Sequence, residues 1–308
     1  MAFSTFLFPK DFVVSAEERS RVYTRAEAEA YTRWLSGAHY ENFHVVSFLL
    51  PKDLHQDFFN VYAYCRWADD LGDEIGDPAE SLRLLHWWRD ELLGMYAGHC
   101  RNPVFIALAE TVKKHNLPID PFDDLITAFV HDQTVTRYEC FSDLYDYCKN
   151  SANPVGRLVL MLCGYRSEEL FRLSDATCTG LQLANFWQDV LVDWQKGRVY
   201  LPQELLARHG ASVEDIAERR FTPAFQNAMH EAVTYARYFF DEGLPLTKKV
   251  DRRLALDLEL FSRGGMAILD KIEKNGFNVL KARPAISRTE RLSILLKGIT
   301  RWLMHQAA

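Results

Sequence analysis

The sequence predicts an all-α protein, a single helical domain over residues 1–308. Three observations carry this. Eleven prolines and fifteen glycines in 308 residues leave long stretches without a helix breaker. Apolar residues recur at spacings of three and four, and the alternation expected of strands is almost absent. No internal repeat, low-complexity linker or shift of composition marks a boundary, so one core larger than a four-helix bundle needs is expected.

The elements follow in order. Segment 16–36 is charged, helix-prone and amphipathic. Segment 52–75 follows Pro51 as one long helix, which Gly76-Asp77-Pro78 ends. Segment 79–97 is a helix rich in Leu, Trp and Arg. Asn102-Pro103 opens the next, and Leu117–Pro121 separates it from 122–132. Segment 142–150 leads to a break at Asn153-Pro154, followed by a helix of small residues from 155. Ser174-Asp175 can cap a helix running to about Trp194, which Lys196-Gly197-Arg198 ends. Pro202-Gln203-Glu204 begins a short helix that stops at His209-Gly210, and segments 223–242, 245–272 and 287–305 complete the series.

Hydrophobic residues make up 48% and charged residues 25%, which excludes disordered, collagen-like and coiled-coil chains. The formal charge of -6 disfavours a nucleic-acid binder. Taken as a sum, it also disfavours an anionic substrate. The start MAFSTFLFPKDF lacks a basic segment and reaches Pro9 early, so no signal peptide is expected. No run of about 18 uncharged apolar residues predicts a membrane span, and a cytoplasmic location is expected. The cysteines at 65, 100, 140, 148, 163 and 178 form no CxxC pair and read as reduced core thiols.

Chemistry enters with two acidic ladders. Asp69 and Asp73 stand four apart, about 6 Å between Cβ atoms on one helix face, with Arg66 three residues before. Gln182, Asn185, Asp189 and Asp193, spaced three, four and four, share one stripe of the predicted 175–194 helix; Leu181, Leu183, Phe186, Val190 and Leu191 occupy the other. Like charges at this spacing destabilise a helix, and aromatic neighbours add a desolvation cost. A solvated acidic face usually mixes in Lys and Arg, and 182–193 has neither. Two such ladders, if they face one another, form a cage of hard oxygen ligands suited to Mg2+, which then accepts phosphate oxygens. The acidity therefore speaks for an anionic substrate where it is concentrated. Gly197-Arg198-Val199-Tyr200-Leu201-Pro202 follows at once: a guanidinium binds phosphate bidentately and a phenol donates to a diphosphate, although a helix C-cap before an N1 proline explains the same residues.

The chain resembles the squalene/phytoene synthase family of head-to-head prenyl synthases. The residues that carry the resemblance are Tyr64–Glu74 (YCRWADDLGDE), Gln182–Asp193 (QLANFWQDVLVD) and Gly197–Pro202 (GRVYLP), supported by Tyr147-Cys148 and Val155-Gly156. It runs from about 38 to 275, and the ordered set of motifs is highly specific. His39–Phe43, Ser151–Arg157 and Asp193–Arg198 resemble the bacterial hopanoid-pathway branch that includes hydroxysqualene synthase. The resemblance implies an isoprenoid synthase fold around a central cavity. It implies that Asp69, Asp73, Asp189 and Asp193, with Asn185, hold Mg2+ bridging a diphosphate. It places Arg66, Gln182, Asn185, Arg198 and Tyr200 on the diphosphate or its metals and Tyr147 beside the reacting carbons. Asn42, Phe43, Asp70 and Asn153 complete the substrate-side candidates.

Three departures from the family pattern bear on the reaction. Condensing members usually carry serine where Asn42 stands; their Val-Ala-Gly turn is here Ser151-Ala152-Asn153; and a late tyrosine aligns near Gly265. These changes argue against a second prenyl diphosphate and add polar groups near the chemistry. The expected reaction is therefore Mg2+-dependent conversion of presqualene diphosphate and water to hydroxysqualene, coupled to a presqualene diphosphate synthase and a squalene-forming reductase. Direct condensation of two prenyl diphosphates is the alternative, and a non-catalytic assembly factor the alternative of another class. Asn42 or Asn153 could orient the water, while Asn153-Pro154 reads equally as a helix start. No GxGxxG follows a strand, so no nicotinamide or flavin site is expected, and the ten histidines show no metal spacing. The basic, apolar stretch 281–305, with Lys281, Arg283, Arg288, Arg291, Lys297 and Arg301, suits either peripheral membrane contact or, the favoured reading, a last helix packed on the core.

Overall fold

The computed structural model describes residues 6–38, 51–287 and 289–291. These contain fifteen α-helices and no strand, only an isolated parallel bridge between Arg137 and Val199. The chain packs into two compact units, one of Met1–Thr134 with Arg157–Arg166, the other of Val135–Gly156 with Ser167–Ala308. It passes between them at 134/135, inside a helix at 156/157, and at 166/167. None of these crossings is a linker, which is why composition gives no sign of them.

The first unit holds α1 (Pro9–Val14), α2 (Ala16–Ser20), α3 (Arg25–Ala38), α4 (His55–Asp73), α5 (Pro78–Tyr96), α6 (Pro103–His115) and α7 (Asp120–His131). The predicted 16–36 helix is broken because Thr24 and Glu27 form a capping box that starts α3: the Thr24 amide donates to Glu27 at 2.9 Å and the Glu27 amide to Thr24 Oγ1 at 3.3 Å. Asp77 and Asn102 cap α5 and α6 ahead of N1 prolines. Residues Lys52–Leu54, expected as the start of α4, form a 3-10 turn. Packed among α3, α5, α6 and α7, α4 buries Tyr64, Trp67, Ala68 and Leu71 completely. Trp67 stacks on Trp88 with centroids 4.8 Å apart and donates to the Tyr31 hydroxyl at 3.0 Å; Tyr64 donates to the Phe122 carbonyl at 2.7 Å. Lower on the helix, buried Asp57 accepts from Thr111, Lys114 and His115 of α6. Burial opposes ionisation of this carboxyl, but its three donors outweigh that and hold its pKa below the usual carboxylate range. These contacts fix the rotation of α4, and hence the face on which its acidic ladder stands.

α8 (Phe141–Ser151) belongs to the second unit, and α9 (Asn153–Leu162) begins there. The second unit continues with α10 (Glu168–Gln188), α11 (Val190–Gln195), α12 (Gln203–His209), α13 (Val213–Ala217), α14 (Pro223–Gly243) and α15 (Arg252–Lys274). The helix expected from 175 starts instead at Glu168, where Ser167 precedes two acidic residues that favour the positive N-terminal end of the dipole. It is interrupted at Asp189, whose φ of -104° and ψ of 14° leave the helical region, so the ladder spans two helices. The i to i-4 bonds nevertheless continue, from Asp189 N to Asn185 O at 2.9 Å and from Asp193 N to Asp189 O at 2.8 Å. The unpredicted α13 begins at a capping box between Ser212 and Asp215. Segment 245–272 resolves into a 3-10 turn, Leu244–Lys248, and α15, which Asp251 caps. Of 287–305, only 287 and 289–291 are described. Cys148 alone of the cysteines is fully buried, and burial pushes its thiol up to about 12; the other five are half-buried rather than core.

Candidate functional site

In the first unit the Asp69–Asp73 ladder occupies the last turns of α4, on the side away from Trp67 and Leu71. Arg66 reaches Asp69 at 3.1 Å and forms a second, shorter ion pair with Asp70. Asp70 is buried, so it serves as the anchor of Arg66, while Asp69 is 43% exposed and faces solvent. Burial would lower the Arg66 pKa, but Asp69 and Asp70 together hold it above its ordinary value. Arg66 therefore stays charged beside a carboxylate that remains accessible. At this end of α4, Gln133 donates to the Gly72 carbonyl at 3.2 Å, and Phe129 of α7 lies alongside.

The second unit carries the other ladder. Asn185 donates to Asp189 Oδ2 at 2.8 Å, and Arg283 makes a bidentate pair with the same carboxylate, one bond being 3.0 Å to Oδ2. The Arg283 chain segment is held in place by Gln188, which accepts from Arg283 and donates to the Pro284 carbonyl. The bond to Asp189 outweighs burial and, with the charge of Asp193, holds the Arg283 guanidinium above its ordinary value. Gln182, Asp193 and Arg198 are half-buried, and Asn185 is exposed. The Arg198 amide donates to the Asp193 carbonyl at 2.8 Å, which joins the ladder to the GRVYLP segment.

Beside this ladder lies an aromatic group. Phe186 stacks on Tyr200 with centroids 3.7 Å apart and planes at 8°, and Tyr147 stands 6.1 Å from Phe186 and 6.0 Å from Tyr200. All three are buried, and their faces present negative electrostatic potential. Asn153 is buried as the first residue of α9, with its Oδ1 accepting from Thr179 of α10 at 3.1 Å. The structure thus brings Arg66, Asp69, Asp70 and Asp73 together in one unit. In the other it groups Asn185, Asp189, Asp193, Arg198, Tyr147 and Tyr200. Asn42 and Phe43 lie outside the described residues, as do 288 and 292–305 of the basic stretch.

Sequence reading missed two participants. Arg283 stood among the basic residues assigned to a terminal helix; residues 283–287 are not helical, and its charge is turned onto Asp189. The signal available was only a lone arginine before Pro284. Tyr138 belongs to no motif, yet its ring joins the Tyr147–Tyr200 group.

Among the described residues no three His, Cys, Asp or Glu side chains converge into a preassembled metal cage. Mg2+ characteristically uses one or two carboxylates and completes its octahedron with water and phosphate oxygens. The donor chemistry of Asp189 and Asp193, two carboxylates a turn apart of which one already binds an arginine cation, fits that ion. Among the described residues no helix is long and apolar enough to cross a membrane.

Comparison with known proteins gives a consistent result. A profile of the squalene/phytoene synthase family matches residues 36–290. Phytoene synthase 1 of Arabidopsis thaliana is 30% identical over 279 residues, 87% of this chain and 65% of that protein; phytoene synthase 2 of Solanum lycopersicum is 30% identical over 87% of this chain and 89% of its own length. The chain thus spans just under two thirds of the Arabidopsis relative. Among solved structures, squalene synthase HpnC from Alicyclobacillus acidocaldarius is 44% identical, with a TM-score of 0.79 over 82% of this chain and 96% of its own. A dehydrosqualene synthase in complex with ligand, 23% identical, shares the fold at a TM-score of 0.81 over 90% of this chain and 97% of its own. That fold is the isoprenoid synthase fold. With both aspartate ladders, the GRVYLP segment and a family match over residues 36–290, the chain belongs to the squalene/phytoene synthase family.

Proposed function

We propose that the protein converts presqualene diphosphate and water to hydroxysqualene and diphosphate, with Mg2+, in squalene and hopanoid biosynthesis. The observation that carries this reading is the 44% identity to squalene synthase HpnC, against 30% to the phytoene synthases. The polar residues Ser151 and Asn153, where condensing members have a small apolar turn, support it. On this reading Asp69, Asp73, Asp189 and Asp193, with Asn185, hold Mg2+, which neutralises charge on the departing diphosphate. Arg66, Arg198 and the Tyr200 hydroxyl bind and orient the diphosphate oxygens, and Gln182 adds an amide donor.

The carbon–oxygen bond of the cyclopropylcarbinyl diphosphate breaks, and its electron pair leaves with the diphosphate. The faces of Tyr147, Phe186 and Tyr200 stabilise the rearranging carbocation and exclude stray water. One water oxygen then adds to the allylic cation and loses a proton, so no reductant is consumed. Asn153, its Oδ1 already bonded to Thr179, has its amide NH2 with which to orient that water. The protein works in the cytoplasm or at the inner membrane face, supplied by a presqualene diphosphate synthase and followed by a reductase.

Product analysis tests the reading. Purified protein with presqualene diphosphate and Mg2+ is expected to yield hydroxysqualene, and with farnesyl diphosphate alone no C30 product. Substantial C30 product from farnesyl diphosphate would instead establish the condensing reaction, which the phytoene synthase relatives favour.

A further inference from the structure

The GRVYLP segment connects α11 to α12 and must hold Arg198 and Tyr200 without regular structure of its own. Residues 136–139 supply the missing support. The Val199 amide donates to the Thr136 carbonyl at 2.9 Å, the Gln203 amide to the Tyr138 carbonyl at 3.0 Å, and the Glu204 amide to the Glu139 carbonyl at 2.9 Å. Arg137 donates to the Gly197 carbonyl at 2.6 Å, and its guanidinium lies 5.6 Å from the Trp194 ring centroid. These contacts bracket Arg198 and Tyr200 from Trp194 to Glu204. The same stretch reaches the aromatic group through one side chain. Tyr138, 3% exposed, stacks on Tyr200 with centroids 5.6 Å apart and planes at 23°, and meets Tyr147 edge-on at 5.7 Å and 63°.

We infer that residues 136–139 are a positioning strap for Arg198 and Tyr200, and that the Tyr138 ring sets the placement of Tyr147 against Tyr200. This rests on the proposed role of those two rings beside the reacting carbons. Tyr138 is a positioning residue, acting through its neighbours. Its ring meets both tyrosines, so the aromatic face and edge carry the placement. Its loss lets the two tyrosines relax by a fraction of an ångström, which slows the chemical step more than substrate binding. It also lets water reach the cation early, so more product is simple unrearranged alcohol.

The test compares full-length wild type, Tyr138→Ala, Tyr138→Leu and Tyr138→Phe, using whichever prenyl diphosphate the wild type turns over, with products resolved by chromatography. Tyr138→Ala or Tyr138→Leu is expected to lower kcat about tenfold or more, to move KM by less than about threefold, and to raise the share of unrearranged alcohol. Tyr138→Phe is expected to recover most of the rate and the product ratio. Arg137→Ala, which loosens the strap without touching the rings, is expected to lower kcat a few-fold. If Tyr138→Ala does not fold, Tyr138→Leu against Tyr138→Phe decides the matter. Wild-type kcat and product ratio in the leucine variant, or equal damage in the phenylalanine and leucine variants, would overturn the inference. Failure of the wild type on presqualene diphosphate, with turnover of farnesyl diphosphate, sinks the hydroxysqualene reading instead and leaves the strap testable on that substrate.

Discussion

Asp189 is held by Arg283, and the proposed Mg2+ would compete with that guanidinium for the same carboxylate. Its carboxylate is 15% exposed and accepts a bidentate pair from Arg283 and a bond from Asn185. A charge-assisted bond is worth about 1.5–3 kcal/mol when shielded. Arg283 is 42% exposed, and screening brings its pair nearer to about 0.5–1 kcal/mol. That pair must loosen before Asp189 can take a metal. Arg283→Gln is therefore expected to tighten Mg2+ binding about two- to fivefold, measured by calorimetry with inorganic pyrophosphate present. Weaker binding would mean that Arg283 itself contributes to holding the anion. Asp70 is placed differently: next to the exposed Asp69 it is buried and occupied by Arg66, so adjacent aspartates divide into an accessible carboxylate and an anchor.

At the scale of elements, α10, α14 and α15 meet where side chains are smallest. A Cβ placed on Gly265 would stand 2.4 Å from Phe240 Cζ and 3.0 Å from Leu181 Cδ2, and one on Gly180 would meet the same ring at 3.2 Å. Phe240 thus fills the space between these helices, and the position where family members carry a late tyrosine has no room for a side chain. Gly265→Ala is expected to cost about 1–3 kcal/mol by overpacking, read by chemical denaturation. Phe240→Leu in the same chain is expected to return part of that loss, because the two sites share one volume. Additive effects would show that the clash is relieved elsewhere. The helix boundaries at this scale were largely legible. Asp77-Pro78, Asn102-Pro103 and Thr222-Pro223 all cap helices. The Thr24–Glu27 box was equally legible in its residues, but amphipathic periodicity across 16–36 masks it.

For the molecule as a whole, the net charge of -6 matters less than where the carboxylates are held. Each unit buries aromatic side chains behind one acidic helix: Tyr64 and Trp67 behind Asp69 and Asp73, Phe186 and Trp187 behind Asp189. The proposed reaction requires carboxylates of both ladders. Asp69→Asn and Asp189→Asn are each expected to lower kcat by about 10²–10³, the cost of removing one preorganised electrostatic contact from a charged transition state. Their thermal midpoints should stay near wild type, because neither side chain is a core group. Full activity in either variant would exclude that ladder from the chemistry.

The sequence by itself determined the helical class, most caps and the identity of both ladders, because helix period, capping residues and i, i+4 spacing are local properties of the chain. Only the tertiary structure decided which acids stay accessible, how the second ladder is interrupted at Asp189, and that Arg283 and Tyr138 join its surroundings. Those outcomes depend on contacts between residues far apart in the chain, 94 positions in the case of Arg283 and Asp189, and spacing carries no record of them.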